Sequence, residues 1–480
     1  MAHDAAVSRP ELAPGSSLPL LTETAALAAE YLASLADRSV APPPDAVARL
    51  RDLDQPLPDG GAGPLTVLRR LHEIASPATV ASAGPRYFGF VTGGSLPAAL
   101  AANWLAGAWD QNAGYTAMSP AATALEAVAM RWMIDVLRLP AGCGAAFVTG
   151  ATMANLCGLA AARHVLLEQA GWNVEADGLF GAPSITVVVG EEVHVSLLKA
   201  LAILGFGAKR VIRVPTDDQG RMRADRLPRF NGPTICCIQA GNVNTGAFDP
   251  AREIVAAAHD AAAWVHVDGA FGLWAAAAPA RAYLLAGFAD ADSWAMDAHK
   301  WLNVPYDSGV AFCRDPKHLH GAIAMDAPYL VQGAGREPAH YTPEFSRRAR
   351  GVEIWAALAS LGRTGLADLI ESNCRLASRF ADGLRAAGYE VLNDVVLNQV
   401  LVSFGDDAAT RNVIDAVQRD GTSWCGGTAW HGRAAMRISV SSWATTEADV
   451  DRSLEAMIRV GLSSRASRVP AEGGQMSRGT

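Results

Sequence analysis

Residues 263–269, AWVHVDG, form a short apolar run that ends in an aspartate and a glycine. Six similar runs occur between residues 145 and 315, and stretches with helical periodicity separate most of them. Continuous apolar strands that alternate with helices are typical of a mainly parallel sheet covered on both faces. The sequence therefore predicts an α/β domain with a seven-stranded sheet, whose strands we expect at 145–150, 185–190, 211–215, 234–241, 263–269, 293–299 and 309–315.

The chain has 480 residues, more than one hydrophobic core usually serves, so we expect a large domain with smaller additions. The segment 119–140 predicts a long helix with Ser119 as its cap, and another helix is predicted at 364–388. Three tryptophans are expected to pack in the core: Trp104, Trp109 and Trp301. The predicted units are a helical N-terminal segment (1–85), a large domain (86–365), a small α+β domain (366–462) and a disordered tail (463–480).

Composition and charge exclude several classes of function. The net charge is −8, which gives no sign of binding to nucleic acid or to an anionic membrane. The N-terminal residues lack the pattern of a secretory signal, and no apolar stretch is long enough to span a bilayer. Seven scattered cysteines form no CxxC pair and no metal-type cluster. We therefore expect a cytoplasmic protein without a metal site.

Polar side chains follow two of the predicted strands at their carboxyl ends. Asp268 ends the run 263–269, and its carboxylate must be paired or hydrogen-bonded because burying it alone is costly. Lys300 follows the run 293–299, one βα unit further along the chain. Active sites of such sheets lie beyond the carboxyl ends of the strands, so both side chains can reach the same site.

Two further strand ends give weaker signals. The segment TGATMAN (149–155) can bind an anion through free N–H groups and the Thr152 hydroxyl, although alone it is more simply an ordinary βα turn. His194 follows another strand, where a single histidine is more often structural. Together with Asp268 and Lys300, these groups suit a phosphorylated heteroaromatic aldehyde. The lysine would form a Schiff base, the acid would keep the ring nitrogen protonated, and the helix terminus would bind phosphate.

Four motifs give the chain a resemblance to a known family, the group II pyridoxal phosphate-dependent decarboxylases, which include aromatic-amino-acid, histidine and glutamate decarboxylases. The motifs are SPAATALEAVAM (119–130), NTGAFDP (244–250), HVDGAF (266–271) and DAHKW (297–301). The resemblance implies fold type I, pyridoxal 5′-phosphate (PLP) as cofactor, and a homodimer with its active site between the subunits. The implied reaction converts an L-amino acid to an amine and CO2.

The same resemblance assigns residues to the cofactor. Lys300 is similar to the Schiff-base lysine and Asp268 to the partner of the pyridine nitrogen. Ala270 would pack on one face of the ring and His194 on the other. The positions that match phosphate contacts are Ala151, Thr152 and His299.

Other matches concern the 3′-oxygen of the cofactor and the substrate. Asn242 or Asn244 lies in the loop that the resemblance places near the 3′-oxygen. Phe88 and Phe90 match a segment that lines the substrate pocket. Tyr115 matches a region that is supplied across the dimer interface.

The sequence departs from the family in the segment between Tyr329 and Arg347, which is shorter than the mobile loop whose tyrosine reprotonates the substrate carbon. Tyr341 falls near that position without a clean register match, so Tyr341 and His194 are both candidates for the proton donor. The reaction outcome depends on this group. The alternatives are decarboxylation coupled to oxidative deamination, which yields an aldehyde, and a transaminase or lyase reaction on the same fold.

Overall fold

A seven-stranded sheet forms the centre of the computed structural model, which describes residues 17–325 and 335–466. The strands are β1 (Gly144–Val148), β2 (Thr186–Gly190), β3 (Ile212–Val214), β4 (Thr234–Gln239), β5 (Trp264–Asp268), β6 (Ser293–Asp297) and β7 (Gly309–Cys313). Their spatial order is β1-β7-β6-β5-β4-β2-β3. Only β7 runs antiparallel to its neighbours. The prediction of a mainly parallel seven-stranded sheet is confirmed, and each predicted run matches one strand to within two residues at either end.

Helices precede, cover and follow this sheet. Those before it are α1 (Ser17–Ser34), α2 (Pro44–Arg49), α3 (Pro64–Ala75), α4 (Pro97–Trp109) and α5 (Pro120–Val136). Those between and after its strands are α6 (Ala151–Gln169), α7 (Val174–Asp177), α8 (Val195–Ile203), α9 (Ala251–His259), α10 (Pro316–Ile323), α11 (Gly351–Ala386), α12 (Asp407–Asp420) and α13 (Glu447–Ala466).

Both faces of the sheet are buried, which explains why the strand sequences are apolar without interruption. Successive residues of a strand point to opposite faces. In β5, Val265 and Val267 join a core with α5, α9 and the first half of α11, whereas Trp264 joins a core with α6, α8 and α10. Because residues two apart point to the same face, His266 and Asp268 lie on the α6 side of β5 together with Trp264.

A second, smaller sheet lies in the C-terminal part of the chain. Its strands are β8 (Glu390–Val391), β9 (Gln399–Ser403), β10 (Gly426–Trp430) and β11 (Arg433–Ser439), in the order β10-β11-β9-β8 and all antiparallel. The second half of α11, together with α12 and α13, supplies the helical side of its core.

Several boundaries differ from the predictions. The hydroxyl of Ser119 donates to the carbonyl oxygen of Asn112 at 2.6 Å and does not cap α5. Helix α11 begins at Gly351, well before 364, and bends at Gly362, whose φ of 61° is not helical. Helix α13 reaches Ala466, past the predicted start of the tail.

The tryptophan prediction is right for one residue and wrong for two. Trp301 is fully buried, but Trp104 and Trp109 are each 46% exposed, because α4 turns these side chains away from the core. Within the described ranges, no helix is long and apolar enough to cross a membrane. Residues 326–334, with the start of the predicted mobile loop, lie outside the described residues, as do 1–16 and 467–480.

The start of β7 packs so closely on the β1–α6 turn that only glycine fits there. A Cβ at Gly309 would overlap the backbone of Gly150. We expect Gly309→Ala to lower the free energy of unfolding by about 1–3 kcal/mol, as overpacking does. The measurement is urea denaturation of the cofactor-free protein. Gly365→Ala is the control, since its Cβ would meet only ordinary contacts with Leu361 at 3.5 Å, and it should stabilise α11 by about 0.5–1 kcal/mol. Equal stability of the two variants would contradict the packing argument.

Candidate active site

Lys300 lies just beyond β6, at the carboxyl edge of the sheet, and is paired with a buried acid. Its Nζ is 2.9 Å from Oδ2 of Asp297, a residue that is 3% exposed. The other oxygen of that carboxylate accepts the N–H of Ala151, the first residue of α6, at 2.5 Å. Asp297 therefore links the lysine to the positive end of a helix. Asp297 is not among the site residues predicted from the sequence, although it ends an apolar strand just as Asp268 does.

His299 packs on the other side of the same acid. Its Nδ1 accepts the N–H of Ser308 at 3.1 Å, and its Nε2 lies 3.5 Å from Oδ1 of Asp297. Burial lowers the pKa of His299 and outweighs the opposing effect of Asp297, so we expect a neutral ring at neutral pH. A Cβ at Gly150 would lie 3.2 Å from the ring, so the absence of a side chain there lets His299 pack closely against the turn before Ala151.

Asp268 is buried at the end of β5, with an exposed fraction of 5%. Its Oδ1 accepts the backbone N–H of Ala270 at 3.3 Å, and its Oδ2 accepts the side-chain amide of Asn155 at 3.4 Å. Two donors thus compensate part of the cost of burying this charge. Asn155, on α6, is absent from the sequence-based assignments.

His194 caps the N-terminus of α8 through its ring. Nδ1 accepts the N–H of Ser196 at 3.3 Å and lies 2.7 Å from the Ser196 hydroxyl, so the proton of the neutral ring is on Nε2. Burial lowers the pKa of His194, with Lys300 acting in the same direction and Asp268 in the opposite one. These electrostatic interactions indicate that the three side chains lie at one site.

A half-buried arginine of the second, four-stranded sheet also acts on this site. Arg437, on β11, has a charge that lowers the pKa of His194, and burial lowers its own pKa. Its Nη1 donates to the carbonyl oxygen of Val243 at 3.4 Å, and it forms no ion pair with any described carboxylate. Sequence reasoning missed it, because nothing in the pattern of β11 relates that strand to the edge of the large sheet.

The segment that precedes α4 passes directly behind the lysine, since a Cβ at Gly93 would overlap the carbonyl oxygen of Lys300. Phe88 does not face this site: it is 1% exposed and packs in the core of the small domain. Phe90 is 64% exposed. It and Val91 have positive φ values of 51° and 60°, and this strained backbone directs the Phe90 ring outward. Of the two residues, only Phe90 exposes its ring, and its role as a substrate contact stays a prediction.

The two asparagine side chains of the 3′-oxygen loop form hydrogen bonds with other residues of the protein. The carbonyl oxygen of the Asn242 side chain accepts the N–H groups of Asn244 and Thr245, at 2.9 and 3.2 Å, and its amide donates to Gln239 at 3.3 Å. The side-chain oxygen of Asn244 accepts the Thr428 hydroxyl at 3.0 Å. These contacts shape the loop, and a cofactor contact by either side chain stays a prediction.

The two candidate tyrosines pack among residues remote in sequence from the strand ends. The ring of Tyr341 lies 4.4 Å from the Arg336 guanidinium and 5.7 Å from the His320 ring. The ring of Tyr115 is buried and meets His340 edge-on at 5.9 Å. Among the described residues, no cation–π contact is seen between Lys300 and the ring of either tyrosine.

The residues at the carboxyl edge fit the cofactor that the sequence analysis predicts. The N-terminus of α6 offers backbone N–H groups, and the Thr152 hydroxyl, which bonds to no described residue, is free to bind an oxygen of a phosphate. Asp268 would supply an acceptor for a protonated ring nitrogen, and Lys300 would supply the amine.

Comparison with known proteins decides the family. Residues 47–405 match the model of the pyridoxal-dependent decarboxylase conserved domain. The chain belongs to the pyridoxal-dependent decarboxylase family. It is a PLP-dependent carboxy-lyase that acts on amino acids, and PLP is its cofactor.

Two curated relatives and one solved structure describe the position of this decarboxylase within the family. It is 28% identical to tryptophan decarboxylase 1 of Oryza sativa subsp. japonica, over 78% of this chain and 80% of that protein. It is 27% identical to 4-hydroxyphenylacetaldehyde synthase of Rhodiola rosea, over 70% of this chain and 73% of that protein. The crystal structure of Oryza sativa TDC with PLP and tryptamine superposes with a TM-score of 0.88 at 23% identity, covering 95% of this chain and 99% of that one, and supports the fold.

The Lys300–Asp297 pair predicts an effect on the stability of the cofactor-free decarboxylase. Lys300→Met leaves the Asp297 carboxylate buried without its cation, so we expect the free energy of unfolding to fall by about 3 kcal/mol. The double variant Lys300→Met/Asp297→Asn removes the stranded charge and should recover most of this loss. Chemical denaturation of the two variants and the parent measures both effects. A double variant no more stable than Lys300→Met would contradict the pairing.

Proposed function

We propose that this decarboxylase converts an aromatic L-amino acid to its amine, and that Lys300, Asp268 and His194 are its catalytic residues. The observation that supports this most strongly is the buried carboxylate of Asp268, held by two donors at the sheet edge that also bears Lys300. Bound PLP supplies an aldehyde and an electron-withdrawing ring. The protein groups around it bind, orient and protonate.

Asp268 provides the main electrostatic effect. An ionised carboxylate is an acceptor only, so it stabilises a proton on the ring nitrogen and keeps the ring cationic. At 5% exposure this interaction acts with little screening by water. Lys300 would hold the cofactor through its aldehyde and would give up that position to the amino group of the substrate. Asp297, 2.9 Å from the lysine nitrogen, holds the free amine beside the site.

His194 covers one face of the ring and, we propose, returns the proton to the substrate Cα. Its Nδ1 is engaged by Ser196, so Nε2 bears the proton that can be donated. The lowered pKa keeps the resting ring neutral and makes its protonated form a stronger acid toward a carbon with carbanion character. Tyr341 is the less favoured donor, because its ring is stacked on Arg336.

An aromatic substrate is supported by the exposed ring of Phe90. This ring stacks on Trp424, with centroids 5.4 Å apart, in a segment that passes behind Lys300. Arg437 is proposed to bind a carboxylate of the substrate, since it is a half-buried cation without an ionic partner in the described chain. The similarity to a tryptophan decarboxylase supports the same substrate class.

The catalytic assignment is tested with purified variants and CO2 release. Lys300→Ala should abolish turnover and the visible absorption band of lysine-bound PLP. Asp268→Ala should keep the fold and lose activity by a factor of about 100 or more, because it removes a preorganised charge from a buried site. Phe88→Leu is the matched control and should retain most activity, since Phe88 lies in the small-domain core. A visible band in dialysed Lys300→Ala, or near-normal turnover of Asp268→Ala, would refute the roles.

Formation of an aldehyde is the second candidate outcome, and the similarity to 4-hydroxyphenylacetaldehyde synthase favours keeping it. Decarboxylation with oxidative deamination consumes O2 and water and releases an aldehyde, CO2, ammonia and hydrogen peroxide, whereas simple decarboxylation releases only the amine and CO2. Parallel assays of amine and peroxide with the same amino acid distinguish the two outcomes.

We also propose that the protein is a cytoplasmic homodimer. The seven cysteines are all unpaired and buried, as suits a reducing compartment. A mainly apolar groove of about 940 Å³ lies between α1, α3 and α4, with the ring of Trp104 at its edge. Exposed Leu105 and Trp109 continue the apolar surface on α4. A contiguous surface of this kind favours contact with a second copy of the chain.

The proposed dimer predicts the effect of a charge in the groove. Trp104→Asp should convert the dimer to a monomer, because association would bury the new carboxylate without a partner. Light scattering after size-exclusion chromatography measures the mass. Phe180→Asp, at a 98% exposed position outside the groove, should leave the mass unchanged. A Trp104→Asp variant with the parent's dimeric mass would count against this interface.

A further inference from the structure

A line of buried polar side chains leads from Asp268 into the interior, beneath α6. The Asn155 amide nitrogen is 3.4 Å from Oδ2 of Asp268, and the Asn155 oxygen is 2.8 Å from Nε2 of His266. Nδ1 of His266 is 2.8 Å from the Ser293 hydroxyl, which is 2.9 Å from Nε1 of Trp264. Asn155, His266 and Ser293 are completely buried. We use the name polar relay for four residues: Asn155, His266, Ser293 and Trp264.

Strand periodicity places the polar relay on one side of the sheet. Trp264, His266 and Asp268 alternate along β5 and point to the α6 face, and Ser293 points to the same face from β6. Helix α6 crosses above them and contributes Asn155. One turn later, a Cβ at Gly158 would lie 2.6 Å from the His266 ring, so the absence of a side chain there makes room for the imidazole.

The chemistry of the two ends fixes the direction of every hydrogen bond. The indole N–H of Trp264 can only donate, so it donates to Ser293, whose own proton is then available to Nδ1 of His266. Burial lowers the pKa of His266 to about 3, so the ring is neutral and its single proton is on Nε2. That proton is donated to the Asn155 oxygen, which leaves the Asn155 amide facing Asp268.

The opposite arrangement is unfavourable at the site. If His266 donated from Nδ1 to Ser293, its Nε2 would require the Asn155 amide as donor. The Asn155 oxygen would then face the Asp268 carboxylate at about 3.4 Å, and two acceptors would oppose each other without a proton between them. The Ser293 proton would also lose its partner among the described residues. The donors of the polar relay therefore all point toward Asp268.

We propose that Asn155, His266, Ser293 and Trp264 are positioning residues that fix the orientation of the Asp268 carboxylate toward the ring nitrogen of the cofactor. This inference rests on the role of Asp268 in the proposed function. Asn155 occupies one lone pair of Oδ2 and Ala270 one of Oδ1, which leaves the remaining lone pairs for the protonated ring nitrogen. The aligned dipoles behind Asn155 strengthen its donor and resist rotation of its amide.

The decisive experiment compares two cofactors that differ only at the ring nitrogen. Cofactor-free protein is titrated with PLP and with 1-deaza-PLP, in which a C–H group replaces that nitrogen, and the ratio of the two dissociation constants is taken. In the parent protein, PLP should bind more tightly. Asn155→Leu keeps the approximate volume but removes the donor, and should reduce this preference at least about tenfold, as expected for loss of a hydrogen bond to a charged group. Affinity for the deaza analogue should change little.

Further variants separate positioning from folding. Ser293→Ala removes a hydrogen bond to His266, which in turn bonds Asn155, so it should also reduce the preference for PLP over 1-deaza-PLP, but by a smaller factor. This variant keeps the test available if Asn155→Leu does not fold. Cys157→Ala, at a buried position of α6 outside the polar relay, should leave the ratio unchanged. Equal weakening of both cofactors by Asn155→Leu and by Ser293→Ala would overturn the proposal, because it would indicate a structural role only.

Asp268→Ala distinguishes failure of this inference from failure of the proposed function. It should abolish the preference for PLP. If it does so while Asn155→Leu and Ser293→Ala leave the preference intact, the polar relay has no positioning role and the function of Asp268 stands. If Asp268→Ala itself retains the preference, Asp268 does not bind the ring nitrogen, and the polar relay is refuted with it.

Discussion

The burial of the Asp268 carboxylate is the constraint on which the rest of this structure depends. A charge at the end of a central strand, 5% exposed, is costly unless donors surround it. The protein supplies an N–H from the following turn and an amide from α6. The remaining acceptor capacity of the carboxylate is available for the protonated ring nitrogen that we propose as its partner.

Helix α6 connects this acid to the other parts of the site. Its first N–H binds Asp297, the partner of Lys300; one turn later Asn155 reaches Asp268; and a further turn brings Gly158 against His266. One helix, α6, thus offers the N–H groups that can bind an anion and helps to position both Lys300 and Asp268. Because α6 packs on apolar side chains of β1, β5 and β6, the large core fixes the relative positions of these groups. The small domain adds Arg437 from the other side.

The site predictions made from the sequence differ in outcome for physical reasons. Groups at strand ends come together, because parallel strands bring their carboxyl ends to one edge: Asp268, His194, Lys300 and the start of α6 all follow this rule. The type of a side chain alone does not indicate where that side chain packs. Phe88 and Phe90 are two residues apart, yet one lies in the small-domain core and the other in the open, and strained φ values make that difference. Asn242 is similarly used within its own loop.

The sequence by itself determined the seven strands, their mainly parallel arrangement and the edge at which Lys300 and Asp268 meet. These properties follow from local periodicity and from the rule that parallel strands end together. Only the tertiary structure decided that Asp297 holds Lys300, that Asn155 and His266 stand behind Asp268, and that Trp104 and Trp109 face outward. Each of these contacts joins residues from separate elements, or depends on which face of a helix meets the core. Spacing along the chain does not indicate these contacts, because they depend on how α6 and α4 pack against the sheet.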